Sequence, residues 1–263
     1  MMFDLWNRFG LRAYFHSSVV FSLVQTLLIM SIYHRVSARI MQVYQESKTP
    51  AGLTLSEWTK KFWEWIFQLS DEANPVTSVG PARPWRYAGR QPTQFQKECM
   101  EKYGESVWFI ASAPYAEPNS VIQIYIPVGN WWFLIAPAVT CSSGQLYPSL
   151  NTIDKVRKHV KEDINKTFEL WTIFDGFSIP WYYVDNTDSF IDIKGVPTKE
   201  SKNMLHQDLA DETIQTLQCG YWNFIEPVEP GDHLLTIHSR SPIYRVDITY
   251  QLSINGPAYS TST

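Results

Sequence analysis

Charge and cysteine are both scarce in this chain. Only 18% of its 263 residues are charged and the net charge is −4, with no cluster of Lys and Arg that would serve as a nucleic-acid footprint. Three cysteines, Cys99, Cys141 and Cys219, are too few and too far apart for a disulfide scaffold or a CxxC-type structural zinc site. At least one must stay unpaired within the chain. An exported protein would favour a Cys99–Cys141 bridge, because both flank the apolar runs at 107–113 and 121–139; the alternative is three buried free thiols. No P-loop and no G-x-G-x-x-G is present, and Ser142-Ser143-Gly144 lacks the leading glycine of a nucleophile elbow. No repeat of fixed period is found either, so repeat architectures are excluded.

What the chain does have is apolar and aromatic mass: 44% apolar residues, 15% aromatics and 11 tryptophans. This is enough for a sizeable core and far from the composition of a disordered chain. An aromatic surplus suits a thick core, or a face that stacks on a ligand such as a sugar ring.

Residues 13–33 are mostly apolar, with Arg8 and Arg12 before them and the triplet Val36-Ser37-Ala38 after them. That order fits a secretory signal, and the length is close to that of a membrane anchor. His34, Arg35 and Arg39 on the far side remove the charge asymmetry, leaving an amphipathic packing helix as the third reading. Signal, anchor and packing helix all stay open for residues 1–45. Residues 46–258 read as one β-rich domain and residues 259–263 as a disordered tail.

Past the linker Lys48-Thr49-Pro50-Ala51-Gly52, Thr54 and Glu57 form a capping box. Trp58, Phe62, Trp65, Ile66 and Leu69 follow on one helical face, while Trp63 and Phe67 make the opposite side partly apolar too. Such a helix belongs between a sheet and another layer. Asn74-Pro75 ends it, and residues 75–106 read as an irregular excursion with a short helix from Gln94 to Tyr103.

Strand-length runs follow at Val107 to Ala113, Val121 to Val128 and Trp131 to Val139, with Val128-Gly129-Asn130 as a turn between the last two. Leu150 to Phe168 returns to helical spacing, and its lysines read as a solvated face. Strands resume at Leu170 to Phe174, Phe177 to Val184 across an Asp175-Gly176 turn, and Phe190 to Ile193. Tyr221 to Ile225, His233 to Ser239 and Ile243 to Ile254 complete them. In the last, Tyr244, Val246, Ile248, Tyr250 and Leu252 alternate with polar residues, so one face is core and the other wet. The expected fold is mainly β: an antiparallel β-sandwich or jelly-roll-like domain with packed helices and an N-terminal hydrophobic helix.

Several blocks occur in order: Leu55-Ser56-Glu57-Trp58 through Trp63-Glu64-Trp65, Asn74-Pro75, Val107-Trp108-Phe109-Ile110, Ile126-Pro127-Val128-Gly129-Asn130, Asp175-Gly176, Gly220-Tyr221-Trp222 and Pro230-Gly231-Asp232-His233. Over roughly residues 53–254 the chain resembles a poorly characterised microbial family with W..WW.W, VWFLAG-like, DG and GYW...PG.H blocks, whose members commonly look exported. It departs from that pattern at Asn130, where a Lys is usual, at Tyr125, where Cys is frequent, and at Cys219, where an acidic or small residue is usual. The resemblance implies one exported β-rich domain and supplies no catalytic residues.

Candidates for chemistry are few. His233 and His238 sit five apart on one expected strand, so the pleat sends them to opposite faces and they cannot share a metal. His206, Asp208, Asp211 and Glu212 form a denser set that a helix over 204–217 would bring only partly together. Asp175, Asp185, Asp188 and Asp192 lie near Trp181, Tyr182 and Tyr183, a combination of acids and rings found in sugar-acting proteins. The adjacent pair Trp131 and Trp132 must point to opposite faces of its strand, as must Tyr182 and Tyr183.

Two functions of different class follow. One is an exported or membrane-tethered binding protein, extracytoplasmic, that meets a glycan, lipid or protein ligand through Trp131, Trp132, Trp181, Tyr182 and Tyr183. Membrane contact would run through residues 13–33, and nucleic acid is not an expected partner. The other is a hydrolase or lyase using His206 with Asp208, Asp211 or His238. No metal site is expected, and the sequence names no cofactor.

Overall fold

The computed structural model describes residues 49–68, 93–112, 118–144, 147–194, 213–242 and 244–254. The expected N-terminal hydrophobic segment (1–45) and the C-terminal tail (259–263) lie outside the described residues, as do His206, Asp208 and Asp211.

Helix α1 (Leu55–Gln68) starts where the capping box predicts. Thr54 Oγ1 accepts from the Glu57 amide at 3.2 Å and the Glu57 carboxylate accepts from the Thr54 amide at 2.8 Å. Those hydrogen bonds hold the Glu57 carboxyl below its ordinary pKa. Helix α2 (Gln94–Tyr103) carries a second box, Thr93 with Gln96. The buried Gln96 side chain also donates to the Val107 carbonyl, tying the helix to the next strand. Helix α3 (Ile153–Asn165) begins on Thr152 and buries Val156, Val160 and Ile164 at helical spacing.

Among the described residues nine strands form two sheets. Sheet A has the order β1 (Ser106–Ala111), β3 (Trp131–Ser142), β7 (Thr213–Ile225), β6 (Tyr182–Lys194). Sheet B runs β2 (Ser120–Ile126), β9 (Arg245–Ile254), β8 (Gly231–Arg240), β4 (Glu169–Phe174), β5 (Phe177–Ser178). Neither sheet is purely antiparallel, which corrects that part of the sequence reading: β1 pairs with β3 in parallel, and so does β2 with β9. The reason lies in the path of the chain. After β1 it leaves sheet A, lays β2 into sheet B, and returns as β3 running the same way as β1.

The Val128-Gly129-Asn130 turn is therefore a crossing between sheets rather than a hairpin. Burial explains this: Trp131 to Ala138 on β3 are buried at every position, as in a central strand flanked on both sides, whereas β2 alternates buried and exposed residues. Residues 213–217, which a helix over 204–217 would have contained, form the start of β7. Asp175 and Gly176 do turn the β4–β5 hairpin, both with positive φ (49° and 82°), the geometry that suits Asp-Gly.

One face of sheet A is roofed by α1. Trp58, Phe62, Trp65 and Ile66 pack there with Val107, Phe109, Trp132, Leu134, Trp222 and Phe224, and Trp63 and Phe67 are buried in the same cluster. Phe62 meets Trp222 edge-on at 5.0 Å, a favoured aromatic geometry. The opposite face is shared: α3 packs on Ala138, Leu217 and Cys219, while sheet B stacks on the rest. Among the hydrogen bonds that join the sheets are Tyr250 Oη to the Ala111 carbonyl (2.6 Å), Ser239 Oγ to the Pro137 carbonyl (2.7 Å) and Thr172 Oγ1 to Asn223 Oδ1 (2.7 Å). At Gly220 a Cβ would stand 2.7 Å from Val139 Cα, so only glycine permits β7 to lie this close to β3.

Candidate functional site

Adjacent residues on a strand face opposite ways, and the two aromatic pairs singled out in the sequence use that rule differently. Trp131 and Trp132 do diverge, yet both are covered, at 4% and 6% exposure. Trp131 packs edge-on to Trp108 (5.3 Å) and donates its indole N–H to the Pro127 carbonyl; Trp132 lies in the cluster under α1, against Phe224. Neither ring is open to a ligand. The pair on β6 diverges into two environments. Tyr182 packs against the α1 cluster, whereas Tyr183 turns outward with Trp181, the two being 43% and 47% exposed.

Trp181 and Tyr183 converge on a third ring absent from the sequence candidates, Tyr221 of β7. Trp181 stands edge-on to it at 4.7 Å and Tyr183 tilts against it at 5.3 Å. Tyr221 faces Tyr183 directly in the β6–β7 register, a pairing that no local pattern reveals. The surface is held from beneath by Asn223, fully buried. Its amide nitrogen donates to the carbonyls of Pro180 (2.7 Å) and Ile179 (3.5 Å), and its oxygen accepts from Thr172. The Ile179 amide in turn donates to the Thr172 carbonyl at 2.9 Å. The crossing from sheet B to sheet A that presents Trp181 is thereby clamped before any ligand arrives.

Two residues beyond Tyr183 on the same face lies Asp185. Lys161 of α3 approaches its Oδ2 at 2.8 Å, and the Thr187 hydroxyl donates to its Oδ1. Burial pushes the Asp185 carboxyl up, but the Lys161 and Thr187 hydrogen bonds outweigh it and hold it below the ordinary value. Behind the rings the Cys219 thiol, which donates to the Val160 carbonyl, is pushed up to about 11 chiefly by burial. Such a thiol stays protonated and is no nucleophile at neutral pH. All three cysteines are free, so the Cys99–Cys141 bridge is not formed.

The histidines occupy separate places, as the pleat requires. His238 is buried on the outer face of sheet B, stacked on Trp171 at 4.6 Å with rings parallel to 2°. Its Nε2 meets Glu169 at 2.9 Å and its Nδ1 faces Asp247 at 3.8 Å, so both nitrogens point at carboxylates of the protein. Only Nε2 is hydrogen-bonded, and the ring is covered by Trp171. His233 bridges Asp175 Oδ2 (2.7 Å from Nδ1) and the Glu229 carbonyl (2.8 Å from Nε2). The carbonyl can only accept, so Nε2 carries hydrogen, and the Asp175 hydrogen bond raises the His233 pKa.

Asp188 accepts from Arg157 through its backbone carbonyl, and Asp192 accepts from Gln215. These acids do not converge with Asp185 on a common point. Among the described residues no group of His, Cys, Asp and Glu is arranged to hold a metal ion. A cleft of about 320 Å³ opens beside the start of α3, lined by Asn151, Thr152, Phe190 and Gln215 among others, and none of its lining residues is titratable. On and beside α3 several cations are paired, Arg157 with Asp154, Lys158 with Glu162, Lys166 with Asp163 and Lys161 with Asp185, while Lys155 donates to the Asn151 side chain. Asp154, Lys155, Lys158 and Glu162 are exposed, so this face of the helix is solvated.

No family model matches the chain, and neither does any curated protein. Among solved structures it is similar to a cysteine protease inhibitor from Entamoeba histolytica, at 12% identity over 57% of this chain and 96% of that one. With a TM-score of 0.17, that likeness bears on neither fold nor function.

Proposed function

We propose that this chain is a non-catalytic binding protein, exported or membrane-tethered, that takes its ligand on the exposed surface of Trp181, Tyr183 and Tyr221. The observation that carries the reading is a contrast in support. Exposed rings on a solvated edge cost a protein solubility unless something covers them, and here they stand on a buried, fully hydrogen-bonded Asn223 clamp. A rigid aromatic platform of this kind loses little entropy on binding. The burial of His238 beneath Trp171, with its Nε2 tied to Glu169, supports a binding role over hydrolase or lyase chemistry at that residue. The resemblance to a family of exported proteins, and residues 13–33 as signal or anchor, belong to the same proposal.

The test is intrinsic tryptophan fluorescence during titration with soluble glycans, lipid vesicles and peptides, repeated in Trp181→Ala and, as a control, Trp171→Ala. Saturable change lost only in Trp181→Ala is expected. Turnover of any probe, abolished in His238→Ala, would replace this reading with the enzymatic one.

A further inference from the structure

Resting on that reading, we infer that the ligand of this surface is an uncharged saccharide ring, and that Asp185 with Lys161 forms the polar end of its site. Tyr183 and Asp185 are two apart on β6 and share one face, about 7 Å apart along the strand, and Trp181, just before the strand, joins them through its edge-on contact with Tyr221. Across β7 the register places Tyr221 opposite Tyr183 and Cys219 opposite Asp185. Lys161 reaches in from α3, and both members of the ion pair are partly exposed. The surface therefore runs from three rings directly into one fixed carboxylate and one fixed ammonium.

The chemistry of the pair narrows the ligand. A carboxylate has about four acceptor sites and an ammonium three donors. The Thr187 hydroxyl and backbone amide and Lys161 take three of the acceptor sites on Asp185, and Asp185 takes one Lys161 donor, so the carboxylate keeps one site and the ammonium two. A spare acceptor beside a spare donor suits a group that is both at once, which is a hydroxyl. A molecule with an apolar C–H face to lie on an indole and hydroxyls at its rim is a pyranose.

Charge points the same way. The pair is neutral overall; an anionic ring would meet the Asp185 carboxylate, and a cationic one would compete with Lys161. A hydrocarbon tail would gain from the rings but would desolvate the ion pair without replacing its hydration.

The experiment uses the full chain and four classes of probe: neutral cello-, xylo- and manno-oligosaccharides, an oligouronate, zwitterionic phosphatidylcholine vesicles, and a mixed peptide pool. Each is titrated into the wild type, Trp181→Ala, Asp185→Asn and Lys161→Gln, with thermal melts confirming that every variant is folded. At least one neutral oligosaccharide is expected to bind saturably and more tightly than the uronate. Asp185→Asn and Lys161→Gln should each weaken it roughly tenfold, the scale of one hydrogen bond to a charged group, and Trp181→Ala should abolish it. Binding of vesicles or peptides through Trp181 without any sugar would overturn the saccharide inference and leave the aromatic surface standing. Sugar binding unchanged in both charge variants would overturn the role of the pair. Failure of every probe to respond to Trp181→Ala would overturn the surface itself.

Discussion

Both faces of sheet A carry aromatic side chains, and they serve opposite ends. Under α1, Trp132, Trp222, Phe109 and Phe224 interlock with the helix and are sealed from water. On the other face, at the β6 edge, Trp181, Tyr183 and Tyr221 form a cluster of similar ring-to-ring spacing, with the first two rings left open. Ring count and contact distance are thus no guide to role. What differs is the support: neighbouring rings hold the buried set, whereas a polar clamp holds the exposed one. The first face should therefore respond to substitution as stability, the second as recognition.

Four measurements can break or sharpen that contrast. The largest effect belongs to the covered face. Trp65→Ala should destabilise the protein by about 3–5 kcal/mol in denaturant melts, since the ring is buried against Phe62 and Phe109. A loss under about 1 kcal/mol would mean that α1 does not seal this face. Asn223→Ala comes next, at about 1–3 kcal/mol, because it takes the partner from the buried Thr172 hydroxyl and Ile179 carbonyl and releases the Pro180 carbonyl. It should also weaken ligand binding through Trp181 without touching the ligand, and unchanged affinity would show that the clamp does not position the ring.

The hairpin leading to Trp181 offers the third measurement. His233 has a raised pKa, first through its hydrogen bond to Asp175. Its contribution is therefore complete below the unfolded value of about 6.5 and disappears as pH rises through the higher folded pKa. The stability gap between wild type and His233→Asn should narrow as pH is raised from 6 to 9; a widening gap would reverse the assignment. The smallest stability effect belongs to Trp181→Ala, within about 0.5 kcal/mol as at other surface positions. A core-sized loss there would erase the contrast between the two faces.

Local chemistry made much of the fold readable. Thr54 and Glu57 announced α1 through the reach of two side chains, and the alternation from Tyr244 to Leu252 announced β9 and its buried face. Such signals lie within a turn or two of each other. The choice of sheet does not, because β2 pairs with a strand more than a hundred residues later, and the alternation of a strand names its buried face but not its neighbours. For the same reason β6 read as two runs: Asp185 to Asp188 look like a loop, while the structure absorbs them beside a register shift between Asn186 and Ile191. The candidate site was half visible. Trp181 and Tyr183 stood out by residue type, but Tyr221, Lys161 and Asn223 join them only through β6–β7 pairing and the packing of α3. Trp171 and its stack on His238 were likewise hidden, although Thr172 and Phe174 pointing inward imply that Trp171 points out.

The place of β9 in sheet B, between β2 and β8, bears on how the protein is made. Synthesis delivers β2 early and β9 after every other strand, so one long edge of the nascent sheet waits for its partner through the translation of more than a hundred residues. Pairings of such sequence separation form slowly, and waiting edges invite association with other chains. A premature stop before Arg245 would not trim the sheet at its border; it would remove the strand that joins β2 to the rest. The yield of folded protein should accordingly depend on chaperone supply during translation far more than the stability of the finished molecule would suggest.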